Sequence, residues 1–165
     1  MLIRKMIPKD NLEIKNIIQD SLKSFQLDIP GTAYFDPQLN DLFHYYNNIP
    51  KAQYWVVEDQ GRIVGGIGIA PFDMKQNICE LQKLYLLPEV QGLGISKRLM
   101  ETALEFASHF YTSCYLETTQ KLTAACHLYE KYGFKPLENP LENSPHSAMD
   151  RWYLKKLTMK KPANS

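Results

Sequence analysis

Apolar positions recur along this chain at spacings of three and four in some segments and at every second residue in others, and the change of period divides it into helices and strands. Leu2 to Ile7 reads as a short strand. Asp10 or Asn11 then caps a helix whose Ile14, Ile17, Ile18 and Leu22 fall on one face. After Ile29-Pro-Gly31, a second helix is predicted from near Pro37, with Leu39, Leu42, Phe43 and Tyr46 on one side and Pro50 as its stop. Gln53 to Glu58 is aromatic and β-branched, Asp59-Gln-Gly61 is turn chemistry, and Arg62 to Ala70 is extended, which together predict a hairpin. Another strand, Ile78 to Leu86, ends at Pro88. Ile95, Leu99, Ala103, Phe106 or Ala107, and Phe110 mark an amphipathic helix from about Gly94 to His109, and a strand at Ser113 to Thr118 follows. A fourth helix, from about Leu122 to Tyr132, stops at Gly133, a natural left-handed C-cap. Two last extended pieces, Phe134 to Leu137 and Met149 to Leu157, flank a loop rich in Pro, Asn and Ser. Strands that first cluster and then alternate with helices indicate a mixed sheet covered on both faces, so the fold class is α/β.

Length and charge narrow the function classes. The 165 residues suit one domain, taken as 1–157 with 158–165 as a flexible tail. With 19 basic against 18 acidic residues the formal net charge is +1, which argues against nucleic acid or an anionic membrane as the main partner. The longest nearly apolar run, Ile63 to Phe72, carries three glycines and falls short of the roughly 20 residues a spanning helix needs. Cys79, Cys114 and Cys126 lie far apart without a Cys-x-x-Cys pair, and charges and a proline interrupt Met1 to Pro8 too early for a signal peptide. A reduced cytoplasmic setting is the expectation. The four histidines, at 44, 109, 127 and 146, share no ligand spacing, so no metal site is expected.

The most informative segment is Leu84-Tyr-Leu-Leu-Pro-Glu-Val-Gln-Gly-Leu-Gly-Ile-Ser-Lys-Arg-Leu99, a strand, a short glycine-bearing turn and a helix. A helix start of this kind exposes unpaired N–H groups and the positive end of the dipole, a ready anion site. Gly92 and Gly94 allow the backbone to approach such an anion; on the plainer alternative they only make a tight turn. A P-loop is excluded because Gly94-Ile-Ser-Lys97 lacks its spacing, and a dinucleotide fingerprint fails because its third glycine would fall on Lys97.

Gln91-Gly-Leu-Gly94-Ile-Ser96 resembles the acyl-CoA loop of the GNAT superfamily of N-acetyltransferases, Gln/Arg-x-x-Gly-x-Gly/Ala, with Ser96 in place of the last small residue. Ala124-Ala-Cys-His-Leu-Tyr129-Glu-Lys-Tyr-Gly133-Phe134 resembles a second segment of that family, in the correct order. The resemblance covers Leu2 to Leu157. It implies a mixed, mostly antiparallel sheet of about six to seven strands, with about four helices on both faces. It further implies transfer of an acetyl group from acetyl-CoA to a primary amine by direct attack in a ternary complex. The alternative is a catalytically weak acyl-CoA-binding regulatory module. A homodimer through a sheet edge is common in the family.

The resemblance also assigns roles. The N–H groups of Gln91, Gly92, Leu93, Gly94, Ile95 and Ser96 would hold the cofactor diphosphate, with Lys97 and Arg98 adding charge. Backbone groups of Leu84, Tyr85 and Leu86, where the family's strand bulges and splays, would pair with pantetheine and polarise the thioester. Tyr129 would protonate the departing thiolate; read without the motif, it is a core tyrosine on a helix face. The base that deprotonates the amine is expected to be a carboxylate. Glu117, twelve residues before Tyr129, and Glu80, at the start of the strand leading to the loop, are the two candidates, Glu117 ranked first. Leu122 stands where many members carry a cofactor-binding Asn, with Thr119, Gln120 or Thr123 as substitutes. Tyr34, Phe35, Phe43, Tyr45 and Tyr46 would wall the acceptor site on one side, or simply form core. The loop from Asn139 to Ser147 would wall the other, making His146 and Ser147 candidate acceptor contacts.

Overall fold

The computed structural model describes residues 1–160 of the chain. Its seven strands form one sheet in the order β1-β2-β3-β4-β5-β7-β6, built from β1 (Leu2–Lys5), β2 (Gln53–Asp59), β3 (Arg62–Asp73), β4 (Ile78–Leu86), β5 (Ser113–Thr118), β6 (Lys135–Leu137) and β7 (Arg151–Lys156). Every neighbouring pair is antiparallel except β4 and β5. Four α-helices accompany the sheet: α1 (Asn11–Ser24), α2 (Leu42–Asn47), α3 (Ile95–Ser108) and α4 (Thr123–Lys131). The mixed, mostly antiparallel α/β sheet with four helices is as expected.

Period-two alternation sends the strands' side chains to two separate cores. In β2, Tyr54 and Val56 pack with Ile14, Ile18 and Leu22 of α1 and with Leu42 and Tyr46 of α2. Trp55 and Val57 point the other way, onto Leu99, Met100 and Ala103 of α3. Both faces of the sheet are therefore covered, and the apolar faces read from the sequence are the buried ones.

The second helix differs from expectation. From Pro37 to Asp41 the chain makes a 3-10 turn, and α2 starts afresh at Leu42. Asp41 causes the break, because its backbone leaves the helical region while its side chain accepts the His44 N–H at 3.1 Å and caps the new helix. At the end of α4, Gly133 takes φ +86°, and the Phe134 N–H donates to the Tyr129 carbonyl, which closes the expected left-handed cap. Of the expected tail, 161–165 lie outside the described residues, and the Lys160 N–H donates to the Ser108 carbonyl at the end of α3.

Two irregularities in β4 shape the centre of the sheet. Between the pairs Gly66–Tyr85 and Gly68–Gln82, β4 holds one residue more than β3, and Lys83 within that bulge takes φ +51°. Pairing of β4 with β5 stops after Glu80–Tyr115, although β5 continues to pair with β7 as far as Thr118. The two strands thus part company beyond Glu80 and leave a cleft between them.

Candidate active site

The cleft is lined from β4 by Glu80, Gln82, Lys83, Leu84 and Tyr85, from β5 by Glu117 and Thr118, from α4 by Ala125 and Tyr129, and from the loop before β7 by His146 and Met149. Tyr129, Glu117, Glu80, Leu84 and Tyr85 thus line one cleft. The bulge that re-aims β4 is held at both ends of Lys83. Its carbonyl accepts the Tyr54 hydroxyl at 2.8 Å, and its ammonium, 4% exposed, lies 2.7 Å from Asp36. A long side chain in the left-handed region is costly and persists only where its surroundings fix it.

The two glutamates have different surroundings. Glu80 accepts a hydrogen bond from Gln82 Nε2, and Gln82 Oε1 in turn accepts the Tyr46 hydroxyl at 2.6 Å. Burial pushes the Glu80 pKa up. Glu117 is 2% exposed at its side chain, and among the described residues neither carboxylate oxygen has a hydrogen-bond partner. The backbone N–H of His146 approaches close enough to favour its charge weakly without reaching hydrogen-bond geometry. Burial first, and the charge of Glu80 second, push the Glu117 pKa up to about 7. A carboxylate titrating near neutrality with unpaired oxygens suits proton removal from an amine.

Tyr129 packs edge-on against Phe134 at 6.0 Å, and burial raises its hydroxyl pKa, so it stays protonated and able to donate. The aromatic group around α2 divides. Tyr46 reaches Gln82, Tyr45 is raised in pKa by burial and then by Glu80 and Asp36, Tyr34 and Phe43 pack on the first core, and Phe35 is exposed. Ser147 contacts Gly31 rather than the cleft. Leu122 lines the cleft in the place of the family Asn; Gln120 Oε1 is occupied by Arg151, and the Thr123 hydroxyl donates to the Gln120 carbonyl.

At the start of α3, Gly92 and Gly94 both take φ +80°, and nothing among the described residues lies within 4 Å of where a Cβ would sit on either. No side chain caps the helix. A cradle with open space over its glycines and uncapped N–H groups at Ile95, Ser96 and Lys97 fits an anionic diphosphate. Leu93 is exposed, and Gln91 Nε2 donates to the Leu86 carbonyl at 3.3 Å, tying the loop to the end of β4. Lys97 lies close enough to Lys131 of α4 to lower its pKa, so two basic side chains stand side by side. Arg98 lines a separate groove with Arg4, Lys5 and Trp55. Among the residues that sequence reasoning missed, Lys131 carries no motif signal beyond its Tyr-Glu-Lys context. Asp36 and Lys83 meet only through folding, 47 residues apart. Among the described residues, no cluster of His, Cys, Asp or Glu is suited to a metal ion, and no helix is long and apolar enough to cross a membrane.

Comparison with known proteins agrees with this geometry. Residues 16–134 match the acetyltransferase (GNAT) family. An uncharacterized N-acetyltransferase of Escherichia coli, YjgM, is 38% identical over 148 residues, 88% of each chain. N-acetylaspartate synthetase of Xenopus tropicalis is 32% identical over 70% of this chain and 44% of its own. In fold, the chain is similar to a GNAT-family acetyltransferase of Staphylococcus aureus, with TM-score 0.83 and 23% identity over 94% of this chain and 98% of that one. It is also similar to the PaiA N-acetyltransferase of Thermoplasma acidophilum in complex with coenzyme A, with TM-score 0.71 and 20% identity over 94% and 98%. A β4 bulged at Lys83 and splayed from β5, a glycine cradle at the start of α3 and this match over most of the chain agree: the protein belongs to the GNAT family of acetyl-CoA-dependent N-acetyltransferases.

Proposed function

We propose that acetyl-CoA is the acyl donor, that a primary amine entering between β4 and β5 is the acceptor, and that the amine attacks directly within a ternary complex. The observation that carries this reading is the unpartnered pair of Glu117 oxygens in the cleft that Tyr129 also lines. The N–H groups from Gln91 to Ser96, with Lys97 and Lys131 beside them, hold the diphosphate. Backbone groups of Leu84 to Leu86, beyond the last β4–β5 pair, orient the thioester arm. The donor, when bound, supplies the acetyl carbon and the leaving sulfur. Glu117 takes the proton from the amine as nitrogen bonds to the acetyl carbon, and Tyr129 gives its hydroxyl proton to the sulfur as the carbon–sulfur bond breaks. Glu80, already bonded to Gln82, acts on this step by raising the proton affinity of Glu117.

The three cysteines are free thiols, which fits a reducing, cytoplasmic setting. At one sheet edge, β6 carries exposed Lys135 and Pro136, chemistry that blunts edge pairing, so a homodimer built edge to edge would use β1.

The test is thiol release from acetyl-CoA over a panel of benzylamine, spermidine, the twenty amino acids and a lysine-bearing peptide. Turnover with at least one amine, lost in Glu117→Gln, is expected. Tight binding of acetyl-CoA with no turnover on any of them favours the regulatory acyl-CoA-binding module instead.

A further inference from the structure

A proton taken up by Glu117 has no direct way out to water, because its side chain is 2% exposed. Three ionisable groups face it: Glu80 from β4, Tyr115 from its own strand, and His146 from the loop that leads into β7. Glu80 is itself buried, holds a hydrogen bond from Gln82 and repels a second negative charge. The Tyr115 hydroxyl is shared with Ser144 at 2.7 Å and accepts the Leu141 N–H, so it braces the loop. His146 alone both approaches Glu117 and reaches solvent. Its Nδ1 lies 4.0 Å from Glu117 Oε1, and its side chain is 19% exposed.

The other ring nitrogen fixes the tautomer. His146 Nε2 lies 3.0 Å from each oxygen of Asp36. Burial pushes the Asp36 pKa up, but the hydrogen bond from His146 and the Lys83 ammonium 2.7 Å away outweigh it and keep the carboxylate ionised. An ionised carboxylate only accepts, so Nε2 carries the hydrogen and the neutral ring turns a lone pair at Nδ1 toward Glu117. Lys83 belongs to the β4 bulge, and the Met149 N–H donates to the His146 carbonyl, so both ends of the Asp36–His146 contact are anchored. Closing the remaining gap to hydrogen-bond length takes a shift of about 1 Å, of the kind that accompanies substrate binding.

Resting on the reading of Glu117 as base, we infer that His146 is the proton exit of this active site. After Glu117 has taken the amine proton, its O–H passes that proton to His146 Nδ1, Asp36 balances the imidazolium, and the proton then leaves Nδ1 for water. Glu117 returns to the carboxylate and His146 to the neutral ring; Tyr129, left as a phenolate when its proton goes to the sulfur, regains one from water, so amine and thioester become amide and thiol with no net change in protons and no further reactant. A purely structural His146 would instead pin the loop to Asp36 and take no part in turnover.

The experiment uses the full-length protein, acetyl-CoA and the amine from the panel with the highest rate, and compares His146→Gln, Asp36→Asn and Glu117→Gln. Glutamine keeps a donor for Asp36 but carries no exchangeable proton between two sites. His146→Gln is expected to lower kcat about tenfold or more, to leave KM for acetyl-CoA unchanged, to enlarge the solvent isotope effect on kcat, and to regain rate with added imidazole. A kcat within twofold of the parent overturns the inference, as does a loss that imidazole leaves untouched and that comes with a lower melting temperature. If His146→Gln does not fold, ¹⁵N NMR of His146 in the parent decides: the Nε2–H tautomer is expected, shifting toward Nδ1–H in Asp36→Asn, and an Nδ1–H parent overturns it. Glu117→Gln separates the two claims, since turnover surviving there removes the base itself, whereas turnover lost there but kept in His146→Gln removes only the exit.

Discussion

Tyr54 donates its hydroxyl to the Lys83 carbonyl at 2.8 Å, joining the start of β2 to the bulge of β4 across β3. The bond crosses β3 because Gly66 and Gly68 leave the room: a Cβ on Gly66 would stand 2.4 Å from the Tyr54 ring, and one on Gly68 2.5 Å from the Tyr46 hydroxyl. The bulge in turn turns Lys83 to Asp36 and opens β4 away from β5. Tyr54→Phe keeps the ring and removes only the donor. It should cost about 1 kcal/mol of stability, or a Tm loss of about 2–4 °C, and lower kcat more than it raises KM for the amine. Thermal unfolding together with steady-state rates checks both parts, and an unchanged kcat would show that the bulge holds its shape without this bond.

Tyr129→Phe preserves the packing against Phe134 and Tyr153 while removing the proton donor. With the sulfur left to depart unprotonated, kcat should fall by about 10²-fold, and binding of acetyl-CoA should change little. Rates set against a coenzyme A titration separate the two, and parallel losses in both would reduce Tyr129 to a packing residue.

The helices and strands were largely legible because the helices keep an apolar face at spacings of three and four and most strands are extended apolar runs bounded by turn residues. β5 spans Ser113–Thr118 as read from the sequence, and α3 and α4 match to within one or two residues. The glycine loop and the Tyr129 segment were legible because their chemistry is local and contiguous. The Asp36–Lys83–His146 group was not, since its members lie 47 and 110 residues from Asp36 and only the bulge and the returning loop bring them together. The break at Asp41 was hidden for a different reason: the same apolar spacing continues through it, and only the side-chain cap marks it. Glu117 and Glu80 were both visible as acids, but burial and partnering, which distinguish them, are properties of the folded sheet.

Gly94→Ala places a Cβ in open space, so nothing in the fold has to move. The strain at φ +80° costs about 1–2 kcal/mol, and the methyl group would occupy the approach of the diphosphate. The expected outcome is a rise of about tenfold or more in KM for acetyl-CoA with kcat at saturation nearly kept, the pattern of lost uniform binding. Titration with coenzyme A reads it directly, and full affinity would mean that the cradle is a turn and no more.

Proton removal by Glu117 requires its ionised form, so kcat/KM should rise with pH through about 7 and level off above it. Replacing Glu80 with Gln removes the second cause of that raised pKa while leaving burial, the first. The acid limb should therefore move to lower pH by about half a unit to one unit in Glu80→Gln, with the plateau at high pH retained. Should Glu80→Gln instead abolish turnover at every pH, Glu80 and not Glu117 would be the base.

The same burial that tunes Glu117 acts against the fold. Glu117 holds its proton up to about 7 in the folded chain, whereas its ordinary carboxyl value is 4.5. Between those values the folded state keeps a proton that the unfolded state has lost, so stability declines as pH rises across that window. Above it the folded chain carries a buried carboxylate without hydrogen-bond partners; below the lower value both states are protonated and the difference disappears. Glutamine carries no such penalty. Glu117→Gln should therefore be more stable than the parent at pH 8 by about 1–3 kcal/mol and nearly equal to it at pH 4, while its turnover is lost. Chemical unfolding at the two pH values measures this, and a variant less stable at pH 8 would mean that the Glu117 charge is compensated in the cleft and has no raised pKa with which to act as base.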